Sequence, residues 1–223
     1  ILSLFEDNFD RFWICSFNSV IVIDKKGNEI YRFDLSNGGN KQTATSKFTI
    51  LSDSHILVSC FSDLIHSFEL DSQGNIAKVT EIKAPFSGLN NIMRDRNGHF
   101  WYTSDGFGLW YSEDFPTSKE DFVKVVSVGD KKMDFSKIYC ILEAENGDIW
   151  IGTQAEGVLK FNPNIVESVV FSNYLAYPYR ISSSFTETAD GQLYVASDGE
   201  GFCRMNPERM EYRLFSEKDG LSN

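Results

Sequence analysis

Long apolar runs are missing from this 223-residue chain. None approaches the ~18 residues that a membrane-spanning helix requires. Helical periodicity is nearly absent too, which removes bundles and helical solenoids from consideration. Only four cysteines occur, Cys15, Cys60, Cys140 and Cys203, and no two of them form a C-x-x-C pair. A structural zinc site or a disulfide framework needs tighter clustering, so the four read as small buried thiols. Unpaired cysteines fit poorly with an oxidising compartment. Positive charge is scarce: 21 basic residues against 32 acidic ones leave a formal net charge of −11. That balance argues against nucleic acid or an anionic membrane surface as partner. It also disfavours a polyanionic ligand, unless a local basic pocket overrides the average.

Catalytic and metal-binding patterns are equally sparse. No two of His55, His66 and His99 stand at i,i+2 or i,i+4 spacing, so no metal and no cofactor are expected. No serine carries the flanking glycines of a nucleophile elbow. A general base would need an oriented partner and a nucleophile in reach, and no such set exists. No residue is therefore assigned as catalytic. The glycine pairs in Gly106-Phe107-Gly108 and Gly199-Glu200-Gly201 open strands rather than helices, so no helix dipole awaits a phosphate. The acidic residues Asp7, Asp10 and Asp24, with the Asp24-Lys25-Lys26-Gly27-Asn28 turn, read as solvated turn residues.

What is abundant is aromatic and β-forming character, with 14% aromatic and 42% hydrophobic residues. Such a chain builds a core and is not disordered. The clearest unit runs from Asn146 to Pro163, Asn-Gly-Asp-Ile-Trp-Ile-Gly-Thr-Gln-Ala-Glu-Gly-Val-Leu-Lys-Phe-Asn-Pro. Asn146-Gly147 supplies the positive φ angles of a tight hairpin turn. Ile149-Trp150-Ile151 follows as a short apolar strand. A second glycine turn at Gly157 leads into Val158–Phe161, and Asn162-Pro163 stops the ladder.

That unit recurs. Trp101, Tyr194, Trp13 and, in its weakest copy, Leu57 occupy the place of Trp150. In chain order the five anchors are spaced 44, 44, 49 and 44 residues apart. Nine residues before each anchor stands an apolar residue: Leu4, Phe48, Ile92, Ile141 and Phe185. A period of about 40–45 residues with four short strands per unit is that of a β-propeller blade. The predicted fold class is all-β, a β-propeller of about five four-stranded blades. Its expected boundaries are 1–40, 41–86, 87–134, 135–178 and 179–218, with 219–223 opening a further blade. The anchor strand is expected second in its blade, its aromatic filling the space between neighbouring blades. In the fourth blade, Ile138 to Ala144 would be the first strand and Glu167 to Phe171 the irregular fourth.

The pattern Gly-Leu-x-Asn, an apolar residue, an acidic residue, Asn/Asp-Gly-x-Ile/Leu-Trp-Ile-Gly-Thr, then Gly-Val/Leu and an aromatic resembles the two-component regulator propeller repeat. It fits best at Asn146 to Pro163, well at Gly88 to Tyr111 and Asp190 to Pro207, and moderately at Ile1 to Cys15. The copy from Phe48 to Ser59 departs from it, with no Trp, no glycine pair and His55 in the turn. The resemblance implies a segment of a seven-bladed propeller in the periplasmic sensor region of a hybrid two-component receptor of Bacteroidetes. It further implies an oligosaccharide ligand, a homodimer, and contacts to further propeller and immunoglobulin-like domains. An inner-membrane span and a histidine kinase would lie elsewhere in the same protein, so this segment would not itself be an enzyme.

In propellers, the turns between second and third strands share a rim with the connections between blades, where ligands bind. Asn173 to Arg180 carries three tyrosines and an arginine, side chains suited to sugar C–H faces and hydroxyls. Candidate ligand-binding residues are therefore Tyr174, Tyr177, Tyr179 and Arg180, with the turn residues Asp105, Phe107, Gln154, Glu156, Asp198 and Glu200. The bland reading is that the tyrosines pack between blades and the two glutamates are solvated. A propeller lyase or lactonase and a protein-interaction scaffold are the competing roles.

Overall fold

The computed structural model describes residues 3–35, 45–125, 127–128, 131–132, 137–154, 157–162, 172–173, 181–197, 201–209 and 211–221. Five four-stranded antiparallel sheets follow one another along the chain. The first holds β1 (Ser3–Glu6), β2 (Arg11–Cys15), β3 (Ser19–Asp24) and β4 (Glu29–Asp34). The second holds β5 (Thr45–Ser52), β6 (His55–Cys60), β7 (Leu64–Leu70) and β8 (Ile76–Lys83). The third holds β9 (Leu89–Arg94), β10 (Phe100–Ser104), β11 (Gly108–Ser112) and β12 (Val123–Lys124). A small hairpin, β13 (Ser127–Val128) with β14 (Lys131–Lys132), precedes the fourth sheet. That sheet holds β15 (Ile138–Glu143), β16 (Ile149–Thr153), β17 (Val158–Phe161) and β18 (Ser172–Asn173). The fifth holds β19 (Ser184–Glu187), β20 (Leu193–Ser197), β21 (Gly201–Asn206) and β22 (Glu211–Phe215). Strand order within each sheet is sequential, and the anchors all lie on second strands. The fold is the expected all-β propeller architecture of four-stranded blades. The only helical segments among the described residues are two 3-10 turns, Lys119–Asp121 and Glu217–Asp219.

Two compact units divide the chain. One is Ile1–Arg94 with Gly98–Tyr102 and Ser112–Val123; the other is Asp95–Asn97 and Thr103–Tyr111 with Lys124–Asn223. In the first unit, Trp13 is fully buried among Cys15, Val20 and Val22 of its own sheet and Ile56, Val58, Cys60 and Phe68 of the next. In the second, Trp150 is buried with Ala144 and Val158 against Leu193, Val195, Cys203 and Met205. An anchor thus packs on the residues that flank the following anchor. Strand pleating makes this possible, since neighbours in sequence point to opposite faces and both faces of each sheet are apolar.

Register also shows what the residues nine before the anchors do. Ile141 pairs with Ile151, Phe185 with Val195, Phe48 with Val58 and Leu4 with Ile14. Each lies across from the residue after its anchor, on the face turned to the preceding blade. Leu4 has no described sheet before it and is 56% exposed, while Phe5 stacks on Trp13 at 5.9 Å. Of the expected fourth strand of the fourth blade, Glu167 to Phe171 lies outside the described residues. The described part of that sheet's fourth strand is Ser172 and Asn173, paired with Lys160 and Leu159.

Turn chemistry repeats with the sheets. Gly98, Gly147 and Gly191 sit three residues before their anchors with φ of +95°, +84° and +74°. In the first blade Asp10 occupies that place and adopts φ +59°, a conformation that aspartate tolerates better than most non-glycine residues. Lys25 Nζ pairs with Asp10 at 2.6 Å.

Close packing between blades constrains single residues. Cys140 lies across from Gly152 in the β15–β16 ladder, and its Sγ donates to Ser182 O at 3.3 Å. A Cβ on Gly152 would stand 2.4 Å from Cys140 Sγ and 2.6 Å from Ser182 O. Gly152→Ala is expected to destabilise by about 1–3 kcal/mol, read as a lower Tm in thermal denaturation. His66, on β7, is fully buried. Its ring lies against Phe33 at 6.0 Å, and Nδ1 stands 3.7 Å from the half-exposed Glu81 carboxylate. Burial lowers its pKa, opposed in part by Glu81. The unfolded chain therefore binds a proton that the folded chain refuses, so stability falls as pH drops through the unfolded value of about 6.5. Tm should decline from pH 7 to pH 5, and His66→Leu should flatten that decline.

Candidate functional site

Blades meet through a recurrent polar device beside the apolar seam. Glu143 Oε2 accepts from Arg96 N at 2.9 Å, and Glu187 Oε2 accepts from Glu145 N at 2.9 Å. In both cases the carboxylate stands seven residues before its own anchor and the amide five residues before the preceding one. Burial raises the Glu143 pKa, partly offset by the Arg96 amide.

The first seam uses another set. Asp7 Oδ2 accepts from Arg11 Nε at 2.8 Å, Arg11 Nη2 at 2.6 Å and Trp13 Nε1 at 2.7 Å. Asp7 Oδ1 accepts from Phe9 N and Arg11 N. Arg11 Nη1 then donates to Gly74 O in the second blade at 2.7 Å. Burial alone would raise the Asp7 pKa, but these donors outweigh it and hold it below the usual carboxylate range. Asp7, read from sequence as a solvated turn residue, is instead buried and paired. Asp24 is an exposed turn residue, as its sequence implies, and its Oδ1 accepts from Lys26 N and Asn28 N at 2.8 Å each.

At the opposite strand ends lies the rim. Connections between blades run beside second-to-third-strand turns: Leu35 N donates to Asn18 O, and Ala84 N to Asp63 O. In the second unit, Asp105 forms a β-bridge with Lys137, whose Nζ reaches Asp105 Oδ1 at 3.3 Å. Gln154 N donates to Lys137 O at 3.2 Å. Two rim residues, Asp105 and Gln154, thus meet one connection at Lys137, and the Asp105 carboxylate is already committed to a cation. Phe107 is 43% exposed, its N–H held by Ser104 Oγ and its carbonyl by Trp110 Nε1 at 3.1 Å. Lys124 Nζ stands 5.9 Å above the Trp110 ring. Tyr174, Tyr177, Tyr179, Arg180, Glu156, Asp198 and Glu200 lie outside the described residues.

Two rim residues escaped the sequence reading. Phe17 and Phe61 are 53% and 46% exposed at the tips of the β2–β3 and β6–β7 turns. They stand four residues after Trp13 and Leu57, the place that Asp105 and Gln154 hold after their anchors. Carrying the repeat register into the first two blades would have found them. The Phe17 turn is fixed by Ser16 N donating to Ser19 O and by the Ser16–Ser19 hydroxyl pair at 2.7 Å.

Among the described residues, no group of three His, Cys, Asp or Glu side chains could hold a metal ion. All four cysteines are buried free thiols, as read from sequence. No described helix is long and apolar enough to cross a membrane.

The sheets and their seams define a β-propeller. Residues 133–155 match the family model described as two component regulator propeller, so the chain carries the repeat that its sequence resembles. No curated protein matches the chain significantly. Similar solved structures include a protein of unknown function from Bacteroides caccae, 14% identical with a TM-score of 0.64, covering 93% of this chain and 78% of that one. The extracellular domain of a hybrid two component system from B. thetaiotaomicron is 17% identical with a TM-score of 0.70, covering 96% and 30%. PorZ, a surface component of the type-IX secretion system of Porphyromonas gingivalis, is 13% identical with a TM-score of 0.69, covering 98% and 34%. The chain spans about a third of the latter two. At such identities the likeness establishes the fold.

Rim and seam should respond differently to truncation. Phe17→Ala, Phe61→Ala and Phe107→Ala are each expected to change stability by no more than about 0.5 kcal/mol, as exposed sites do. Trp13→Ala should cost about 3–5 kcal/mol. Denaturant titration of the four variants checks the contrast.

Proposed function

We propose that this chain is an extracytoplasmic sensing segment of a hybrid two-component receptor, and that its rim recognises oligosaccharide breakdown products. The observation that carries the reading is the two component regulator propeller repeat at residues 133–155, beside second-to-third-strand turns of other blades that hold Phe17, Phe61 and Phe107 in solvent. A rigid turn presenting an aromatic face loses little entropy when a sugar stacks on it. The fold likeness to extracellular domains of hybrid two component systems agrees with this role. In the whole protein, a homodimer, further propeller and immunoglobulin-like domains, a membrane span and a kinase belong to the same reading. Tyr174, Tyr177, Tyr179 and Arg180 are proposed to extend the rim.

The unpaired cysteines do not stand against an oxidising compartment. Their exposure is 2% or less, and burial pushes the Cys60 thiol up to about 12 and the Cys203 thiol to about 11. Oxidation proceeds through the thiolate, so these side chains are protected wherever the folded chain resides.

The test is a full-length receptor assayed for ligand-dependent phosphotransfer with a panel of oligosaccharides. A glycan should bind the isolated chain and activate the receptor. Phe17→Ala with Phe61→Ala should weaken binding by about tenfold, the loss of one to two stacking contacts. Unchanged binding and signalling in that variant, with wild-type Tm, would remove these turns from the site.

A further inference from the structure

The chain carries −11 overall, yet three arginines gather at one end of the fifth sheet. Arg204 on β21 and Arg213 on β22 are directly paired across the strands, and Arg209 lies in the turn that joins them. Like charges directly opposed in a ladder destabilise it. The expected remedy, a facing carboxylate, is weak here. Among the described residues neither Arg204 nor Arg209 forms an ion pair, and Arg213 Nη2 is 3.8 Å from Asp219 Oδ1. Arg213 instead spreads over the Phe215 ring at 4.6 Å, a stacking that fixes its guanidinium plane and leaves donors free.

These arginines line a cleft of about 310 Å³ together with Gln192, Asn206 and the 43%-exposed Tyr212. Two carboxylates, Asp190 and Glu211, share the lining. Asp190 accepts from Thr188 Oγ1 at 2.5 Å, and its charge also acts on Arg204. Asn206 Oδ1 is occupied by the Glu208 and Arg209 amides, which holds the turn in place. The cleft thus sets three guanidinium groups against two carboxylates on an acidic molecule, with amide and phenol groups beside them.

We propose that this cleft binds a small ligand bearing oxyanion groups, sulfate or carboxylate, with Arg204 and Arg213 as the principal donors and Arg209 closing the turn side. Guanidinium groups take such oxyanions in bidentate fashion. A bound anion also relieves the repulsion between Arg204 and Arg213, so its binding and the strand pairing support each other. On the receptor reading above, and resting on it, the natural ligand would be a sulfated or uronic-acid sugar.

The experiment measures Tm and binding heat for the full chain at low ionic strength. Its probes are inorganic sulfate, a sulfated disaccharide and the same disaccharide without sulfate. The sulfated sugar should bind and raise Tm, and the unsulfated one should do neither. Arg204→Gln and Arg213→Gln should each weaken binding at least about tenfold, and the double variant should abolish it. Without any anion, the variants should melt at or above the wild-type temperature, because a like-charge pair is gone. Binding of inorganic sulfate alone, still lost in the double variant, supports the oxyanion cleft and removes the sugar. No response to either anion overturns the proposal, as does a response that survives in the double variant. A double variant that melts below wild type in anion-free buffer overturns it too, since the arginines would then serve packing. Binding of both sugars at a site indifferent to Arg204 and Arg213 leaves the receptor reading intact and ends this one.

Discussion

An anchor side chain buried against the next sheet is the contact from which the rest of the structure follows. Each sheet has four short strands and two apolar faces, so in isolation it would leave one or both in water. Trp13 and Trp150 resolve this by inserting between residues that flank the following anchor. The same rule accounts for the exceptions. Leu4 belongs to a face with no described sheet before it and is 56% exposed. Tyr194 belongs to a face with no described sheet after it, is half-buried, and meets the Phe202 ring of its own sheet at 5.9 Å.

Apolar contact alone permits sliding, and the polar devices at the strand ends restrict it. A carboxylate that accepts a backbone amide of the preceding blade, as Glu143 and Glu187 do, fixes one height and one rotation. In the first seam the charged work passes to Arg11, neutralised by Asp7 and bonded to Gly74 O. A buried pair of this kind adds little net stability against an apolar alternative. What it adds here is register: the guanidinium reaches the Gly74 carbonyl only when the two blades are correctly aligned. Gly74 is held to glycine on two counts, a φ of +82° and a Phe9 ring 2.7 Å from where a Cβ would stand.

The anchors and their spacing were legible because each is a local property repeated five times, and the glycine turns because they recur in three of the five copies. Partnership was not. Asp7 looks like any turn aspartate until the fold brings Arg11 and Trp13 onto one carboxylate oxygen. Asp105 looks free until Lys137, thirty-two residues on, closes over it. Phe17 and Phe61 were readable in principle, since they hold a fixed place after their anchors. The first two blades lack the glycine pair that marks the Phe107 turn, so no local signal sets Phe17 and Phe61 apart. The arginines of the fifth blade were hidden by averaging, because a net charge of −11 says nothing about where 21 cations lie.

In the proposed sensor role, rigidity at the seams and exposure at the rim are complementary requirements. A ligand shifts an arrangement of domains only through a difference in affinity for the two arrangements. If the blades were soft, binding at a rim turn would be absorbed locally as side-chain adjustment. Close-packed seams deform little, and Gly152, pressed against Cys140 and Ser182, leaves no slack in the fourth. On the proposed receptor reading, a displacement imposed at Phe107 would pass to Trp110, which is tied to its carbonyl, and through the β11 ladder to the sheet. The energy of a stacked ring, about 1 kcal/mol, is small against the cost of opening a seam. It is large enough to reweight two arrangements that differ by a similar amount.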